Sequence, residues 1–241
     1  MNIKNIIRGA LNLLHIDLTK NLEYDRLTNA IMKKVLKVDS NCVDVGCHKG
    51  EILAVMLKES PNGKHFGFEP IPYLYENLKK HFANRATILP YALAEKNGTS
   101  SFQLVKNAPA YSGIKMRKYD VESPDIQEIS VEIKRLDDVI PDSVKIDLIK
   151  IDVEGAELGV LKGAGNLIKR DKPYIIFEFG LGASDFYGTE PADIYNLLTG
   201  AGLKISTLKS FIKNGSSLTL KIFEQMYKNN SEYYFIAHES C

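Results

Sequence analysis

The sequence predicts an α/β fold in which helices pack on both faces of a doubly wound, mostly parallel sheet. From Ser40 onward, short apolar runs alternate with helical periods of about ten residues, as they do in consecutive βαβ units. Of the 241 residues, 44% are hydrophobic and 25% are charged, which is typical of a soluble globular domain. No internal repeat or low-complexity tract interrupts this pattern. Collagen-like, coiled-coil and disordered structures are therefore excluded.

Residues 1–40 are predicted to be an N-terminal helical segment, a lid or an oligomer contact, ahead of one domain at residues 41–241. Apolar residues among the first fourteen recur at helical spacing. We expect this stripe to pack on the domain or on a second copy in a homodimer, with a membrane-surface helix as the alternative. Polar residues interrupt it before the ~18 apolar residues of a membrane span are reached, and no cleavage site follows. The sequence therefore predicts neither a membrane span nor a signal peptide.

The first half of the domain begins with a β-α-β-α pattern, because strand-length apolar runs precede amphipathic stretches. An Asn-Gly pair at residues 97–98 then favours a tight turn between two further strands. In chain order, the predicted strands lie at residues 42–46, 65–69, 87–93, 101–105 and 129–134, and the predicted helices at residues 51–58 and 73–82.

The second half continues the alternation. The helix at residues 192–199 has Thr189 as a candidate cap, Pro191 in its first turn and Gly202 after its end, which are typical start and stop signals. The predicted strands lie at residues 147–153, 174–179, 203–208 and 233–238, and the predicted helices at residues 156–170, 192–199 and about 218–227.

The net charge and the cysteine content limit the classes of binding partner and the cellular compartment that we expect. With 31 basic and 30 acidic residues the net charge is +1, so no bulk field attracts nucleic acid or an anionic membrane. The 3 cysteines are too few and too badly spaced for a disulfide framework or a zinc site. The sequence predicts a cytoplasmic protein with a small-molecule or glycan acceptor and no nucleic-acid partner.

The end of the first strand carries an acid and two glycines, Asp44, Gly46 and Gly50. The glycines suit a tight turn and a close approach of backbone to a ligand. The dinucleotide pattern G-x-G-x-x-G and the phosphate-binding Walker pattern are both absent. A carboxylate suits a cation better than a pyrophosphate, and S-adenosylmethionine offers an ammonium and a sulfonium. The alternative is a purely structural turn.

The second strand also ends in an acid, Glu69, nineteen residues after Gly50. A carboxylate at about this spacing accepts hydrogen bonds from both ribose hydroxyls of an adenosine-containing ligand. The alternative is a cap for the helix that begins after Pro70. Together, the two strand ends favour the ligand.

Charged residues interrupt the apolar strand at residues 147–153. A buried lysine needs a partner, and period-2 geometry points Lys150, Asp152 and Glu154 the same way if the strand stays extended. A solvated edge strand does not account for all three charges. This stretch is therefore a candidate reaction site.

The motifs together resemble the FkbM family of S-adenosylmethionine-dependent methyltransferases, over residues 41–180. The most specific motif is K-I-D-V-E-G-A-E at residues 150–157. The others are C-V-D-V-G-C-H-K-G, G-F-E-P, I-S-V-E-I-K-R-L-D-D-V-I and Y-I-I-F-E-F-G. The resemblance implies the class I methyltransferase fold, a Rossmann-like seven-stranded sheet with an antiparallel last strand. It also implies O-methylation of sugars, glycans or other hydroxylated metabolites, as in capsule or surface polysaccharide biosynthesis.

The resemblance further implies which residues hold the cofactor and where reaction occurs. Adenine packing is implied near Tyr91 and Ala92, and the reaction site around Asp152 and Glu154. The remaining expected cofactor-binding residues are Asp44, Gly46, Cys47, His48, Gly50, Glu69 and Pro70.

An alcohol is barely acidic, so a base or a metal must help to remove its proton. We expect Asp152 to be the base and Lys150 to orient it, with Glu178 nearby if the two strands are neighbours. Asp152 and Glu178 also leave open a Mg²⁺ or Mn²⁺ site, because both metals prefer oxygen ligands.

Residues 106–128 form a loop too long to be a plain connection. It combines cations with tyrosines, which predicts that Tyr111, Lys115 and Arg117 bind an anionic acceptor such as a nucleotide-linked sugar. A solvated loop is the alternative. Other functions left open are methylation of a natural product, a nicotinamide-dependent oxidoreductase and a non-enzymatic adenosine-binding module.

Overall fold

The computed structural model describes residues 20–239 apart from Lys118 and Asp120. The predicted amphipathic stripe of the first fourteen residues lies outside the described residues. The described strands are β1 (Cys42–Val45), β2 (His65–Phe68), β3 (Thr87–Leu89), β4 (Tyr91–Leu93), β5 (Gly98–Val105), β6 (Ile126–Lys134), β7 (Leu148–Ile151), β8 (Tyr174–Glu178), β9 (Lys204–Thr207) and β10 (Tyr234–His238).

The main sheet has seven strands in the order β3-β2-β1-β7-β8-β10-β9. All neighbours from β3 to β8 are parallel, whereas β10 runs antiparallel to both β8 and β9. The strand order reverses beside β1, which is where ligands bind in sheets of this kind. The expected class I methyltransferase fold, with its antiparallel last strand, is therefore confirmed.

A second, three-stranded sheet in the order β4-β6-β5 stands apart from the main sheet. The expected single strand at residues 87–93 is wrong: β3 pairs with β2 in the main sheet, and β4 pairs with β6 in the second. Pro90 separates them, and a proline cannot donate a ladder hydrogen bond. The small sheet thereby branches off directly beside the carboxyl end of β2.

The described helices cover both faces of the main sheet. The predicted single helix at residues 156–170 is broken at Ala164, between two glycines that weaken helix propensity. None of the helices described is long and apolar enough to cross a membrane. They are α1 (Lys20–Val35), α2 (Glu51–Glu59), α3 (Pro72–His81), α4 (Leu136–Val139), α5 (Glu157–Gly163), α6 (Gly165–Asp171), α7 (Pro191–Gly200), α8 (Leu208–Ile212) and α9 (Leu220–Lys228).

Both faces of the central strands are buried, as expected for a parallel sheet covered by helices. In β7, Ile149 and Ile151 belong to one core cluster and Leu148 to the other, because successive side chains of a strand point to opposite faces. The second cluster includes Ile31 of α1. The N-terminal helix is thus part of the domain's core.

The loop between β1 and α2 depends on Gly50. This residue has a φ of 77°, and a Cβ there would lie 2.5 Å from the Phe82 ring and 2.7 Å from Leu78. The close contact of Gly50 is with buried side chains of α3 and the residue after it. Gly50 lets α2 begin against α3.

We expect Gly50→Ala to lower the free energy of unfolding by about 3 kcal/mol, since left-handed strain costs roughly 1–2 kcal/mol and overpacking typically 1–3 kcal/mol. Gly165→Ala is the matched control, because a Cβ there meets nothing within 4 Å. The control should be neutral or stabilising by roughly 0.5 kcal/mol. Urea unfolding of both variants measures the difference, and equal stability would contradict the packing role.

Candidate functional site

Four strand ends meet at one edge of the main sheet. β7 lies between β1 and β8, so the carboxyl ends of these parallel strands bring Gly46, Asp152 and Glu178 to the same edge. Because β10 is antiparallel, it is its first residue, Tyr234, that reaches this edge, directly opposite Glu178. The fold therefore gathers polar groups from four strands in one place.

Two cavities open at this edge. Cavity A lies between the main sheet and the small sheet, and cavity B lies between the main sheet and α1. Both are lined by Ala110, Asp152 and Glu154. Cavity B has a volume of about 560 Å³, within the range of roughly 300–1,000 Å³ that is usual for ligand sites. The shared residues form the boundary at which the contents of the two cavities would meet.

Cavity A is lined by most of the residues expected to hold the cofactor. Apolar side chains of the small sheet and its loops, including Phe102 and Ile114, form one wall, opposite the strand ends of the main sheet. Such a mixture of apolar walls and a few placed polar groups is typical of cofactor sites. The predicted cofactor residues that line it are Gly46, His48, Glu69, Pro70, Tyr91 and Ala92.

Glu69 is fixed at the rim of cavity A. Its Oε2 accepts a hydrogen bond from the His48 amide at 2.7 Å, and its Oε1 accepts one from the Ile71 amide at 2.9 Å. Burial raises the pKa of Glu69 to about 7, against the lowering effect of these two bonds. Each oxygen retains a second lone pair. The carboxylate is therefore held in one orientation and can still accept two hydroxyls.

Asp44 lies next to the cavity residues Val45 and Gly46 but is almost wholly buried. Its Oδ2 atom has no hydrogen-bond partner among the described residues. Burial raises the pKa of Asp44 to about 6, against the lowering effect of the Lys150 charge. A buried carboxylate oxygen without a donor is costly, so this atom fits a cationic or hydrogen-bond-donating ligand group.

Gly46 brings the first strand end against the third. It has a φ of 82°, and a Cβ at this position would overlap the carbonyl oxygen of Asp152. The amide of Asp152 in turn donates to the Val45 carbonyl at 3.1 Å. Only glycine permits this approach, which places the boundary residue Asp152 beside the cofactor loop.

Cys47 and Gly50, which we expected to bind the cofactor, do not line cavity A. The Cys47 thiol is buried and donates to the Asp44 carbonyl at 3.3 Å. It also occupies the space that a side chain at Gly67 would need. Cys47 thus packs under the loop between β1 and α2, and Gly50 packs against α3 and Phe82.

Asp152 is surrounded by hydrogen-bond donors. Lys150 Nζ donates to its Oδ2 at 3.1 Å, and the Tyr234 hydroxyl donates to the same oxygen at 2.5 Å. Glu178 also hydrogen-bonds with Asp152. The expected grouping of Lys150, Asp152 and Glu178 is therefore present, and Tyr234 joins it.

The carboxyl groups of this cluster hold their protons very differently. Burial would raise the pKa of Asp152, but the Lys150 charge and the hydrogen bonds from Glu178, Tyr234 and Lys150 lower it to about 2. Burial, the charges of Asp152 and Glu154, and the bond to Asp152 raise the pKa of Glu178 well above its usual range. Asp152 is thus the more acidic member of the pair and Glu178 the less acidic one.

Glu154 reaches the same place by a turn. β7 ends at Ile151, so strand alternation does not extend to Glu154, which has a left-handed φ of 59°. Burial and the nearby Asp152 charge raise the pKa of Glu154 to about 8, against the lowering effect of Arg117. A carboxyl group with a pKa near neutrality can both take up and release a proton in turnover.

The donor set does not suit a divalent metal. Within the part of the chain that the structure describes, no three His, Cys, Asp or Glu side chains are arranged to hold one. Lys150 places a positive charge at 3.1 Å from Asp152, and this charge repels a cation. We therefore assign no metal to Asp152 and Glu178.

In the loop between β5 and β6, residues 106–117 fold back over the two cavities. Gln103 and Gly113 exchange backbone hydrogen bonds, and the Ser112 hydroxyl accepts from the Val105 amide at 3.0 Å. As a result Tyr111 and Arg117 line cavity B. The guanidinium of Arg117 lies 5.0 Å from the centre of the Tyr111 ring and forms an ion pair with Glu154.

The other predicted acceptor-binding cation lies elsewhere. Lys115 is outside both cavities: its ammonium lies 5.0 Å from the centre of the Tyr187 ring and donates to the Phe186 carbonyl at 3.4 Å. Lys106 pairs with Asp125 at 3.0 Å. The sequence pattern showed a basic loop but not that its cations would separate, because their direction depends on the fold of the loop.

Several residues of cavity B were not anticipated from the sequence. They come from α1 and from the segment that leads into β10, which are remote in sequence from the strand-end motifs. No local motif marks them, and only the sheet topology shows that β10 returns to this edge. They are Asn21, Tyr24, Asp25, Asn230, Tyr233 and Tyr234.

The turn that carries Asp152 and Glu154 is supported by Glu157, a buried residue at the start of α5. Its Oε1 accepts hydrogen bonds from the Gly155 amide at 3.0 Å and the Val153 amide at 3.3 Å. Burial raises the pKa of Glu157 to about 7, against these backbone bonds. Glu157 thus fixes the backbone on both sides of Glu154.

Comparison with known proteins points to one family, whose description is Methyltransferase FkbM domain and which matches residues 44–205. Methyltransferase sdnD of Sordaria araneosa is 32% identical over 152 residues, covering 50% of this chain and 59% of the relative. The 2-O-methyltransferase NoeI of Sinorhizobium fredii is 26% identical over 161 residues, covering 59% and 64% respectively. The hexuronic acid methyltransferase AglP of Haloferax volcanii is 30% identical over 171 residues, covering 69% and 64%. The chain spans about three fifths of the length of these relatives.

For Glu157→Ala we expect a loss of roughly 2 kcal/mol in the free energy of unfolding, because two amides lose a buried acceptor. The Gly155 amide should also exchange with solvent faster. Glu157→Gln is the matched control, since its carbonyl oxygen can accept the same bonds. Chemical unfolding and amide hydrogen exchange measure both effects. An alanine variant with unchanged stability and protection at Gly155 would show that Glu157 does not hold the turn.

Proposed function

Since this chain belongs to the FkbM methyltransferase family, we propose that it is an S-adenosylmethionine-dependent O-methyltransferase acting on a hydroxyl of a sugar, nucleotide-linked sugar or glycan unit. The observation that carries this proposal is the boundary between cavities A and B, which Asp152 and Glu154 share. The name of one relative, a hexuronic acid methyltransferase, supports a sugar acceptor, and the name of another, a 2-O-methyltransferase, supports methylation of an oxygen.

The residues of cavity A suit the cofactor. Glu69 would accept the two ribose hydroxyls, and Tyr91 and Ala92 would pack on the adenine. The unpartnered oxygen of Asp44 would accept a hydrogen bond from the ammonium. When bound, the cofactor would supply a methyl group on a sulfonium, whose methyl carbon the acceptor oxygen attacks while the sulfur leaves as a neutral thioether. The protein contributes by holding that oxygen in line, and positioning of this kind supplies much of an enzyme's acceleration.

We propose that Glu154 is the base that removes the proton from the acceptor hydroxyl. Its pKa of about 8 makes its carboxylate a stronger base than that of Asp152, whose pKa is about 2, and general bases work best with a pKa near the working pH. Our sequence-based choice of Asp152 as base stays a prediction, which the pH profile below distinguishes from Glu154. Asp152 would instead hold Tyr234 and Lys150 in place beside the acceptor.

The charge of cavity B favours a neutral hydroxylated acceptor over a strongly anionic one. Among its described lining residues there is one cation, Arg117, and it is already paired with Glu154. Asp25, Asp152 and Glu178 line the same space, and the charge of Asp152 is balanced by Lys150. An anionic acceptor, such as the hexuronic acid in the name of one relative, would have to draw Arg117 away from Glu154, so the anionic acceptor that we expected from the basic loop stays a prediction.

For cofactor binding, we expect S-adenosylhomocysteine to bind with a micromolar Kd, about −8 kcal/mol. Glu69→Ala should weaken it roughly 5- to 150-fold, since losing a charged acceptor costs about 1–3 kcal/mol. Glu224→Ala on α9 is the matched control and should bind like the wild type. Titration calorimetry gives all three values. Equal affinity in the Glu69 variant would remove Glu69 from the site.

For proton transfer, we expect turnover to rise with pH and to level off above about pH 8, because Glu154 must be ionised to take up the proton. Transfer of labelled methyl to a panel of sugar glycosides measures this profile. Arg117→Gln should move the midpoint to higher pH, since Arg117 lowers the pKa of Glu154. Lys106→Gln, on the same loop, is the control and should leave it in place. A profile that is flat above pH 4 would instead identify Asp152 as the base.

A further inference from the structure

The wall of cavity B that faces away from the cofactor site is built from both ends of the described chain. We call Asn21, Tyr24 and Asp25 of α1, with Asn230 and Tyr233 before β10, the tyrosine wall. All five lie outside residues 44–205, the range that matches the family. The reacting edge of the same cavity, with Asp152, Glu154 and Glu178, lies inside that range. The two sides of cavity B therefore have different origins in the sequence.

Hydrogen bonds hold the tyrosine wall together. The Tyr24 hydroxyl donates to Glu232 Oε2 at 2.6 Å and accepts from the Tyr233 amide at 3.3 Å. The Tyr233 hydroxyl donates to Asn21 Oδ1 at 2.5 Å. The rings of Tyr24 and Tyr233 also meet edge to face, with centroids 4.7 Å apart. The wall is thus preformed, which reduces the entropy lost when a ligand binds.

Tyr234 links the wall to the reacting edge. Its ring stacks on Tyr24 with centroids 5.0 Å apart, and its hydroxyl donates to Asp152 at 2.5 Å. The wall therefore stands one tyrosine side chain beyond Asp152. A sugar whose hydroxyl sits between Asp152 and Glu154 would leave the space beside the wall unfilled, in a cavity of about 560 Å³.

The chemistry of the wall matches a second sugar ring. An aromatic ring packs against the C–H face of a pyranose, while side-chain amides and carboxylates hydrogen-bond the hydroxyls around its edge. Tyr233, Asn21 and Asn230 offer these groups together, with Asp25 beside them.

We propose that the tyrosine wall is a subsite for the sugar unit next to the one that is methylated. The acceptor is then a disaccharide or longer glycan, and not a free monosaccharide. This inference rests on the proposed function, because it takes Asp152 and Glu154 as the place of methyl transfer.

The test measures binding and needs no turnover. Labelled protein saturated with S-adenosylhomocysteine is applied to an array of defined mono-, di- and trisaccharides. The disaccharide bound most strongly and its separate monosaccharides, all as methyl glycosides, are then titrated by calorimetry. We expect the disaccharide to bind at least tenfold more tightly than either monosaccharide.

Variants locate the second sugar. Asn21→Ala and Tyr233→Leu should each weaken disaccharide binding at least fivefold and leave the affinity for the better-binding monosaccharide unchanged. Asn196→Ala, an exposed asparagine on α7, is the matched control and should behave like the wild type. The affinity for S-adenosylhomocysteine should stay the same in all variants, which also shows that they are folded.

Failure of the subsite is distinguishable from failure of the proposed function. If S-adenosylhomocysteine binds but no glycan is captured, the subsite is wrong and the cofactor assignment stands. Equal affinity for the disaccharide and a monosaccharide, or an unchanged disaccharide affinity in both wall variants, would overturn it too. If S-adenosylhomocysteine itself does not bind, the proposed methyltransferase function is contradicted, and the subsite that rests on it is contradicted as well.

Discussion

The ion pair between Lys150 and Asp152 is the interaction on which the rest of the site depends. Lys150 lies in the central strand β7, where only 5% of its side chain is exposed, and an unpaired ammonium there would be very costly. The chain must therefore place an acid at the strand's end. Gly46 makes room for that acid, and β10 must run antiparallel to bring Tyr234 to the same carboxylate. Removing one partner of such a buried pair destabilises the fold more than replacing both partners with apolar residues of similar size, because it leaves one charge buried without a counter-charge.

Because Asp152, Glu154 and Glu178 lie close together, their pKa values also differ. Carboxyl groups that share a buried space cannot all be ionised, because like charges repel strongly in a low dielectric. Lys150 and Tyr234 stabilise the charge on Asp152, whose pKa is lowered, whereas the pKa of Glu178 is raised well above its usual range and that of Glu154 to about 8. Three carboxyl groups of similar chemistry therefore differ widely in acidity. Their positions relative to Lys150 and Arg117, and not their identities, decide which is which.

Much of this edge could be predicted from the sequence because its signals are local. An apolar run interrupted by Lys150 and Asp152 indicates both a strand and its end, and Gly46 and Glu69 follow strands in the same way. Cys47 and Gly50 do not line cavity A and make packing contacts instead, and a loop needs the same residue types for packing as for ligand contact. Tyr24 and Tyr234 carry no local signal, because their place depends on where distant segments meet. Lys115 could not be placed, because the direction of a loop side chain depends on the fold of the loop.

The fold also separates the proposed site of reaction from the proposed acceptor subsite. The groups that we propose to hold the cofactor and to take up the proton lie at the ends of the parallel strands of the core, where a change of backbone would disturb packing on both faces. The tyrosine wall is tied to that core by side-chain contacts between α1 and the segment before β10, and Tyr234, which stacks on Tyr24, bonds to Asp152. Substitutions in the wall can therefore alter the shape and polarity of cavity B without moving Asp152 or Glu154. Such an arrangement allows one methyl-transfer edge to serve different acceptors as the flanking segments change.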